Sequence, residues 1–220
     1  MTNSLLSPPV HALLDRLFRT ADGDDLVVAR LAERHHDRFE AATARERADA
    51  LQDVYMPISR EAGRLLYALV RGCRASTVVE FGMSYGISTV HLAAAVYDNG
   101  IGRVVTTELS TVKVARARTN LTEAGFEDVV TILEGDALET LAGLTDPVEL
   151  VLLDGWKDLC LPVLRLLEPR LAPGALVLAD DTTAHAEQLA EYLAYVQDPI
   201  NGYVCIGFPV ADGIEISCRV

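Results

Sequence analysis

The chain has 220 residues, half of them hydrophobic, and its 19 Lys and Arg against 32 Asp and Glu leave a formal net charge of −13. That length fits one α/β domain with an N-terminal extension and buries a sizeable core, while the charge argues against a nucleic-acid backbone as partner and against a large anionic substrate. The four cysteines, Cys73, Cys160, Cys205 and Cys218, form no Cys-x-x-Cys pair and are too sparse for a disulfide scaffold; with no leader pattern and no bilayer-length apolar run, the expectation is a cytoplasmic protein that meets neither membrane nor nucleic acid.

From Pro8 to Leu51 the sequence is helical in character, and residues 1–55 read as a helical cap on a domain covering 56–220. The acidic run Ala21-Asp22-Gly23-Asp24-Asp25 reads as a solvated turn whose likeness to a calcium loop is superficial. His35 and His36 are adjacent, so a helix points them apart, and they read as surface residues. Beyond Pro57 strand and helix alternate as in a parallel sheet. Ser59 caps a helix from Arg60 to Arg71 whose Ala62, Leu65, Leu66 and Leu69 share a face. Thr77 to Phe81 is a buried strand, Gly86 to Val96 a helix, and Arg103 to Glu108 the second strand. Ser110 caps a helix that stops near Gly125, and Val129 to Glu134 is the third strand. Asp146-Pro147 turns into a strand from Val148 to Leu153, a helix covers Leu161 to Leu171, and Pro173-Gly174 turns into the strand Ala175 to Ala179. After a helix from Ala184 to Val196, the strands Tyr203 to Val210 and Ile214 to Arg219 flank Ala211-Asp212-Gly213 as a hairpin. The pattern predicts an α/β, Rossmann-like fold with a seven-stranded, mostly parallel sheet and an antiparallel C-terminal edge.

The chemistry gathers where apolar strands end, because open parallel sheets bind ligands at the carboxyl ends of their strands. After the first strand the spacing is Glu80-x-Gly82-x-x-x-Gly86-x-Ser88, whereas a dinucleotide pyrophosphate favours Gly-x-Gly-x-x-Gly, which ranks a nicotinamide-dependent dehydrogenase low. An acid there tolerates a cationic ligand, and S-adenosylmethionine (SAM) offers both an ammonium and a sulfonium. Acids also end the second strand (Glu108), the fourth (Asp154) and the fifth (Asp180, Asp181), with Asp136 just past the third. Such a rim implies a cationic ligand or a metal. Glu108 suits ribose hydroxyls, and Asp136 suits either an adenine amino group or the cap of the next helix. Asp154, Asp180 and Asp181 suit a hard divalent cation, Mg2+ or another of its kind. Bidentate chelation of a vicinal diol or catechol there would lower a hydroxyl pKa, and Lys157, its own pKa depressed by the cation, would take the proton before in-line attack on the sulfonium methyl.

At these residues the chain resembles the class I SAM-dependent O-methyltransferases, closest to the catechol O-methyltransferase type and more distantly the caffeoyl-CoA type. Leu153-Asp154-Gly155-Trp156-Lys157-Asp158 is similar to the family's Leu-Asp-His-Trp-Lys-Asp, and Leu178-Ala179-Asp180-Asp181 to its Leu-Ala-Asp-Asn. The resemblance runs from about Met56 to the C-terminus and implies the class I methyltransferase fold. It makes Asp154, Asp180 and Asp181 metal ligands, Lys157 the general base with Asp154 beside it, and Glu108 the ribose partner. Trp156 falls against the adenine and Met56 and Ile58 near the methionine end. Ser84, Ser88 and Ala137 are further cofactor contacts, with Glu80, Gly82, Gly86, Leu109, Asp136 and Asp154 on the surrounding loops. Three departures stand out: Gly155 for a histidine, Asp181 for an asparagine, and Ile206 for the glutamate that orients a second catechol hydroxyl. The leading expectation is therefore a metal-assisted O-methyltransferase of a small, phenolic or catechol-like acceptor. Its rivals are a metal-independent SAM methyltransferase acting on a carboxylate, an amine or another natural-product intermediate, and a SAM-binding or oligomerisation module without turnover. The apolar hairpin and the helical N-terminus are the candidate surfaces for a homodimer.

Overall fold

A computed structural model of the protein describes residues 3–24, 26–29 and 42–220. Helices α1 (Pro8–Ala21) and α2 (Ala44–Ala50) lie before α3 (Arg60–Cys73), and from there strands and helices alternate. The strands are β1 (Thr77–Phe81), β2 (Arg103–Glu108), β3 (Val130–Glu134), β4 (Val148–Leu153), β5 (Leu171–Asp180), β6 (Tyr203–Phe208) and β7 (Ile214–Arg219). Between them lie α4 (Ile87–Asn99), α5 (Thr111–Ala124), α6 (Ala137–Thr140), α7 (Cys160–Leu167) and α8 (Ala190–Gln197). The seven strands form one sheet in the order β3-β2-β1-β4-β5-β7-β6, parallel except where β7 runs antiparallel to both its neighbours. The strand order reverses between β1 and β4, and a crevice opens at the carboxyl ends of such a pair.

Capping and periodicity account for the helices. The Ser59 hydroxyl accepts from the Ala62 N–H at 3.0 Å and Ser110 from the Lys113 N–H, while Gly125, at φ 75°, ends α5 in the left-handed region. Helix α4 has no polar face along its first ten residues, Ile87 to Val96, because helices and sheet enclose it. Inside it, His91 places Nδ1 2.8 Å from the Ile87 carbonyl oxygen, and a Cβ at Gly63 would fall 2.6 Å from the imidazole. The glycine in the first turn of α3 is thus a close-packing requirement. Helix α1 puts Val10, Leu13, Leu14, Leu17 and Phe18 into the same apolar cluster as α3, α4 and β1, and Arg16 pairs with Glu123 of α5 through two bonds of 2.8 and 2.7 Å. A second cluster fills the opposite face of the sheet under α7 and α8.

Three boundaries differ from expectation by four residues or more. The predicted helix from Ala184 begins only at Ala190, because the N–H groups of Thr182, Thr183 and Ala184 bond the carbonyls of Gly213 and Asp212 in the hairpin turn. Helix α7 stops at Leu167, since Pro169, lacking an N–H, turns the chain through a short 3-10 segment, Glu168–Arg170. β5 starts at Leu171, so Pro173-Gly174 lies inside the strand, at a register shift opposite Val148 and Leu150. Along edge strand β6, Val204, Ile206 and Phe208 alternate outward and are exposed. His35, His36 and Asp25 lie outside the described residues. No helix among the described residues is long and apolar enough to cross a membrane.

Burial, helped by nearby Arg64 and Arg60, depresses the His91 imidazole from its ordinary 6.5 to about 4. It stays neutral in the fold while the unfolded chain takes up a proton below about 6.5, so its contribution is complete above that pH and is lost as pH falls towards about 4. At ~1.4 kcal/mol per pKa unit the loss is about 3 kcal/mol. Denaturant midpoints at pH 7 and pH 4.5 should fall steeply for the wild type and less for His91→Met; an equal fall would assign the acid sensitivity elsewhere.

Candidate active site

The site begins with two backbone ends brought together. The Asp154 N–H donates to the Phe81 carbonyl at 2.9 Å, and Gly82, at φ 95°, lies so close to β4 that a Cβ would be 2.6 Å from both the Asp154 carbonyl oxygen and the Gly155 nitrogen. Only glycine permits this approach. The loop then passes through Ser84 at φ 48°, a strained conformation for a residue with a side chain. Two bonds hold it: the Ser84 N–H donates to Glu108 Oε2 at 2.8 Å, and its hydroxyl to the Tyr55 carbonyl at 2.7 Å. Glu108 Oε1 accepts from the Ser110 N–H at 2.8 Å, so backbone donors orient both oxygens of the carboxylate that ends β2.

Above this loop lies a cavity of about 750 Å³, within the usual span for small-molecule sites. Of the sequence-predicted cofactor residues, Met56 and Ile58 line it from the segment before α3, Gly82 and Ser84 from the loop after β1, and Ser88 from the first turn of α4. Glu108 and Leu109 line it from the end of β2 and the residue after it, Asp136 and Ala137 from the cap and first residue of α6, and Asp154 and Trp156 from the loop after β4. Asp136 also caps α6, accepting from the Leu138 N–H at 2.8 Å.

Two predicted residues do not reach the cavity. Glu80 is fully buried beneath the loop, where one oxygen accepts from the hydroxyls of Thr89 and Thr106; burial raises its pKa, and it acts as an internal brace and not as part of the anionic rim. Gly86, at φ 87°, starts α4 and faces Ala117, so it serves the turn.

The predicted ligand set does converge. Carboxylate oxygens of Asp154, Asp180 and Asp181 lie within 4.8 Å of one another, the one group of its kind among the described residues. Lys157 Nζ is 2.8 Å from Asp181 and 3.3 Å from Asp154, in a setting where its side chain is 13% exposed. Burial raises the carboxyls of Asp154 and Asp180, the latter to about 6; the neighbouring carboxylates push in the same direction and Lys157 opposes them. Burial alone would lower Lys157, but Asp154 and Asp181 outweigh it and raise the ammonium above its ordinary value. The expected depression of Lys157 is therefore not a property of the protein by itself. Asp181 sits at φ 63°, a left-handed position that Asp and Asn tolerate best, which accounts for either residue at this place. Asp158 pairs with Arg47 at 2.9 Å and leaves Lys157 to the cluster.

Several residues of the site escaped the sequence reading because their partners are remote. Arg47 of α2 pairs with Asp158 and holds its guanidinium 4.6 Å from the Trp156 ring centroid, and Arg45 donates to the Leu109 carbonyl, so α2 is fastened to both sides of the cavity. Tyr55 stacks on Tyr85 at 3.9 Å. Asp24, expected in a solvated turn, accepts from the Met56 N–H at 2.7 Å and lines the cavity. His185 and Lys113 also line it. The phenyl ring of Phe81 accounts for Gly155: a Cβ at residue 155 would lie 2.5 to 2.8 Å from that ring. Ile206 projects from the edge strand, 61% exposed, and is not among the lining residues.

A family model described as a methyltransferase domain matches residues 79–182. The chain is 32% identical over 185 residues to a catechol O-methyltransferase of Mycobacterium tuberculosis, an alignment spanning 84% of this chain and 76% of that one. Among solved structures, the cofactor-bound Rv0187 from MTB superposes with a TM-score of 0.69 at 26% identity, covering 80% of this chain and 88% of that one. The O-methyltransferase TomG from Streptomyces achromogenes, in complex with SAM, shares the fold at 23% identity, with a TM-score of 0.66 over 81% of this chain and 90% of its own. Sheet order, cavity and site together define a Rossmann-like methyltransferase. The chain belongs to the class I SAM-dependent O-methyltransferases, and SAM is its methyl donor.

Because Phe81 occupies the space above Gly155, Gly155→His should cost about 1–3 kcal/mol by overpacking. Phe81→Leu in the same chain should recover most of it. Melting curves of the two single variants and the double variant test this: losses that simply add would dissociate the two positions.

Proposed function

We propose that the enzyme transfers the SAM methyl group to a hydroxyl of a small phenolic or catechol-like acceptor with the help of a divalent cation. The observation that carries the proposal is the convergence of Asp154, Asp180 and Asp181 within 4.8 Å beside Lys157. The residues fit such an ion: an all-oxygen donor set suits Mg2+ and its relatives, and three carboxylates converge where one ammonium is the nearby cation, with burial first and the neighbouring carboxylates second raising Asp154 and Asp180. Held by these three residues, the cation would supply Lewis acidity that lowers the pKa of an acceptor hydroxyl.

The chain's own residues then have distinct tasks. Glu108, fixed by the Ser84 and Ser110 N–H groups, receives ribose hydroxyls, and Trp156, backed by Arg47, packs against adenine. Once the carboxylates that hold Lys157 as an ammonium have their charge satisfied elsewhere, it releases a proton to solvent, and the neutral Nζ then accepts the hydroxyl proton. With Ile206 facing outward, no glutamate stands at that position to orient a second hydroxyl, so the acceptor class is broader than catechols. One observation supports a metal-independent alternative: Lys157 already bridges Asp154 and Asp181, and such a pair could orient an amine or carboxylate nucleophile.

Turnover on a panel of phenols and catechols should vanish with a chelator and return with Mg2+ in excess; indifference to the chelator would favour the alternative. Lys157→Ala should lower kcat by about 10²–10⁴, the usual share of acid–base catalysis, while the affinity for S-adenosylhomocysteine measured by calorimetry hardly changes. A large loss of that affinity would refute the base assignment. Asp181→Asn should keep the fold, because asparagine tolerates the left-handed backbone, and should raise the Mg2+ concentration needed for half-maximal rate.

A further inference from the structure

Lys113 stands in the first turn of α5, with its N–H on the Ser110 cap and its side chain almost wholly buried in the cavity wall, at 3% exposure. A buried ammonium needs partners for three N–H donors. Its Nζ donates to Ser84 Oγ at 3.1 Å and lies 5.9 Å from the Tyr85 ring centroid, and among the described residues it makes no ion pair. The Ser84 hydroxyl donates onward to the Tyr55 carbonyl, so it meets Lys113 as an acceptor. Glu108 and Asp24 stabilise the ammonium from a distance against the burial that lowers its pKa. The other lysine in the wall, Lys157, is taken up by Asp154 and Asp181.

The chemistry of the donor supplies the missing partner. SAM carries a sulfonium, an α-ammonium and an α-carboxylate, and a rim of Glu108, Asp136, Asp154 and Asp180 suits the two cations while repelling the carboxylate. A cation must answer that carboxylate, and Lys113 has donors to spare beside Ser84. Ser84 itself links the two ends of the donor's path, through its N–H to Glu108 and through its hydroxyl to Tyr55, next to Met56. We propose that Lys113 is a cofactor-binding residue that recognises the α-carboxylate of SAM, an inference resting on the reading that the donor's ribose lies at Glu108. Lys113 thereby orients the amino-acid arm and, through it, the methyl-bearing sulfur.

Calorimetry with two ligands isolates this contact: S-adenosylhomocysteine, which has the carboxylate, and 5′-methylthioadenosine, which lacks the amino-acid arm. Lys113→Met, nearly isosteric, should weaken S-adenosylhomocysteine binding by about 10- to 100-fold, the usual strength of a buried charge-assisted bond, and change 5′-methylthioadenosine binding less than about 3-fold. Lys113→Arg, which keeps the charge, should retain most of the preference for S-adenosylhomocysteine. The unliganded Lys113→Met protein should melt no lower than the wild type, because an underpaired buried charge has been removed. Equal losses for both ligands, or an unchanged S-adenosylhomocysteine affinity, would overturn the proposal. Should Lys113→Met fail to fold, the wild type and Lys113→Arg compared on S-adenosylhomocysteine and its carboxamide decide instead: both should prefer the carboxylate, and no preference would overturn it. A wild type that binds neither nucleoside would defeat the donor-site reading, whereas a wild type that binds both, with a variant that keeps the preference, would defeat only the role of Lys113.

Discussion

Carboxylates gathered at one rim of a parallel sheet repel one another, and in a cavity only partly open to water that repulsion is weakly screened. The organisation of this enzyme follows from how that charge is answered. Asp154 and Asp181 hold Lys157 as an ammonium beside Asp180; Glu108 is answered by two backbone N–H groups and, at longer range, by Lys113. In the proposed function a divalent ion would stand among the first group, and the zwitterionic sulfonium would lie along the second. The donor is cationic at its reactive end, so an anionic cavity stabilises its complex with the enzyme.

Holding those groups requires backbone shapes that ordinary residues resist. Gly82 lets β1 and β4 close on each other, and Met56, Ser84 and Asp181 all have positive φ without being glycine. Such residues cost about 1–3 kcal/mol each and persist where surrounding bonds over-determine them. Here those bonds are visible: Asp24 on the Met56 N–H, Glu108 and Tyr55 on Ser84, and the hairpin turn on the residues that follow Asp181. The N-terminal segment is therefore part of the site as much as part of the core. Its Asp24, Arg45, Arg47 and Tyr55 fasten the segment before α3 across the sheet's carboxyl edge.

Alternation of apolar runs with capped helices was sufficient to read the sheet and most helix ends, because burial on both faces of a parallel strand and hydroxyl caps such as Ser59 and Ser110 are local properties. It misplaced the start of α8, where the competing hydrogen-bond partners come from a hairpin some thirty residues later. Strand-end acids were legible in the same way, since a strand's last residue can be located from its own apolar run. Glu80 shows the limit of that rule: alternation along β1 sends the residue just before the strand's end inward, and its carboxylate braces Thr89 and Thr106 instead of facing the ligand.

By itself the amino-acid sequence determined the α/β architecture, the loop spacing suited to a sulfonium donor, and the triad Asp154, Asp180 and Asp181 with Lys157, because each lies within a few residues of a strand end and strand ends meet in a parallel sheet. Only tertiary structure decided that Phe81 fills the space above Gly155, that Arg47 backs Trp156, that Asp24 fastens Met56, and that Lys113 is enclosed beside Ser84. Those relations join residues 29 to 109 positions apart, or depend on which way a side chain turns at a loop, and neither is encoded in local periodicity; both follow from how the chain packs.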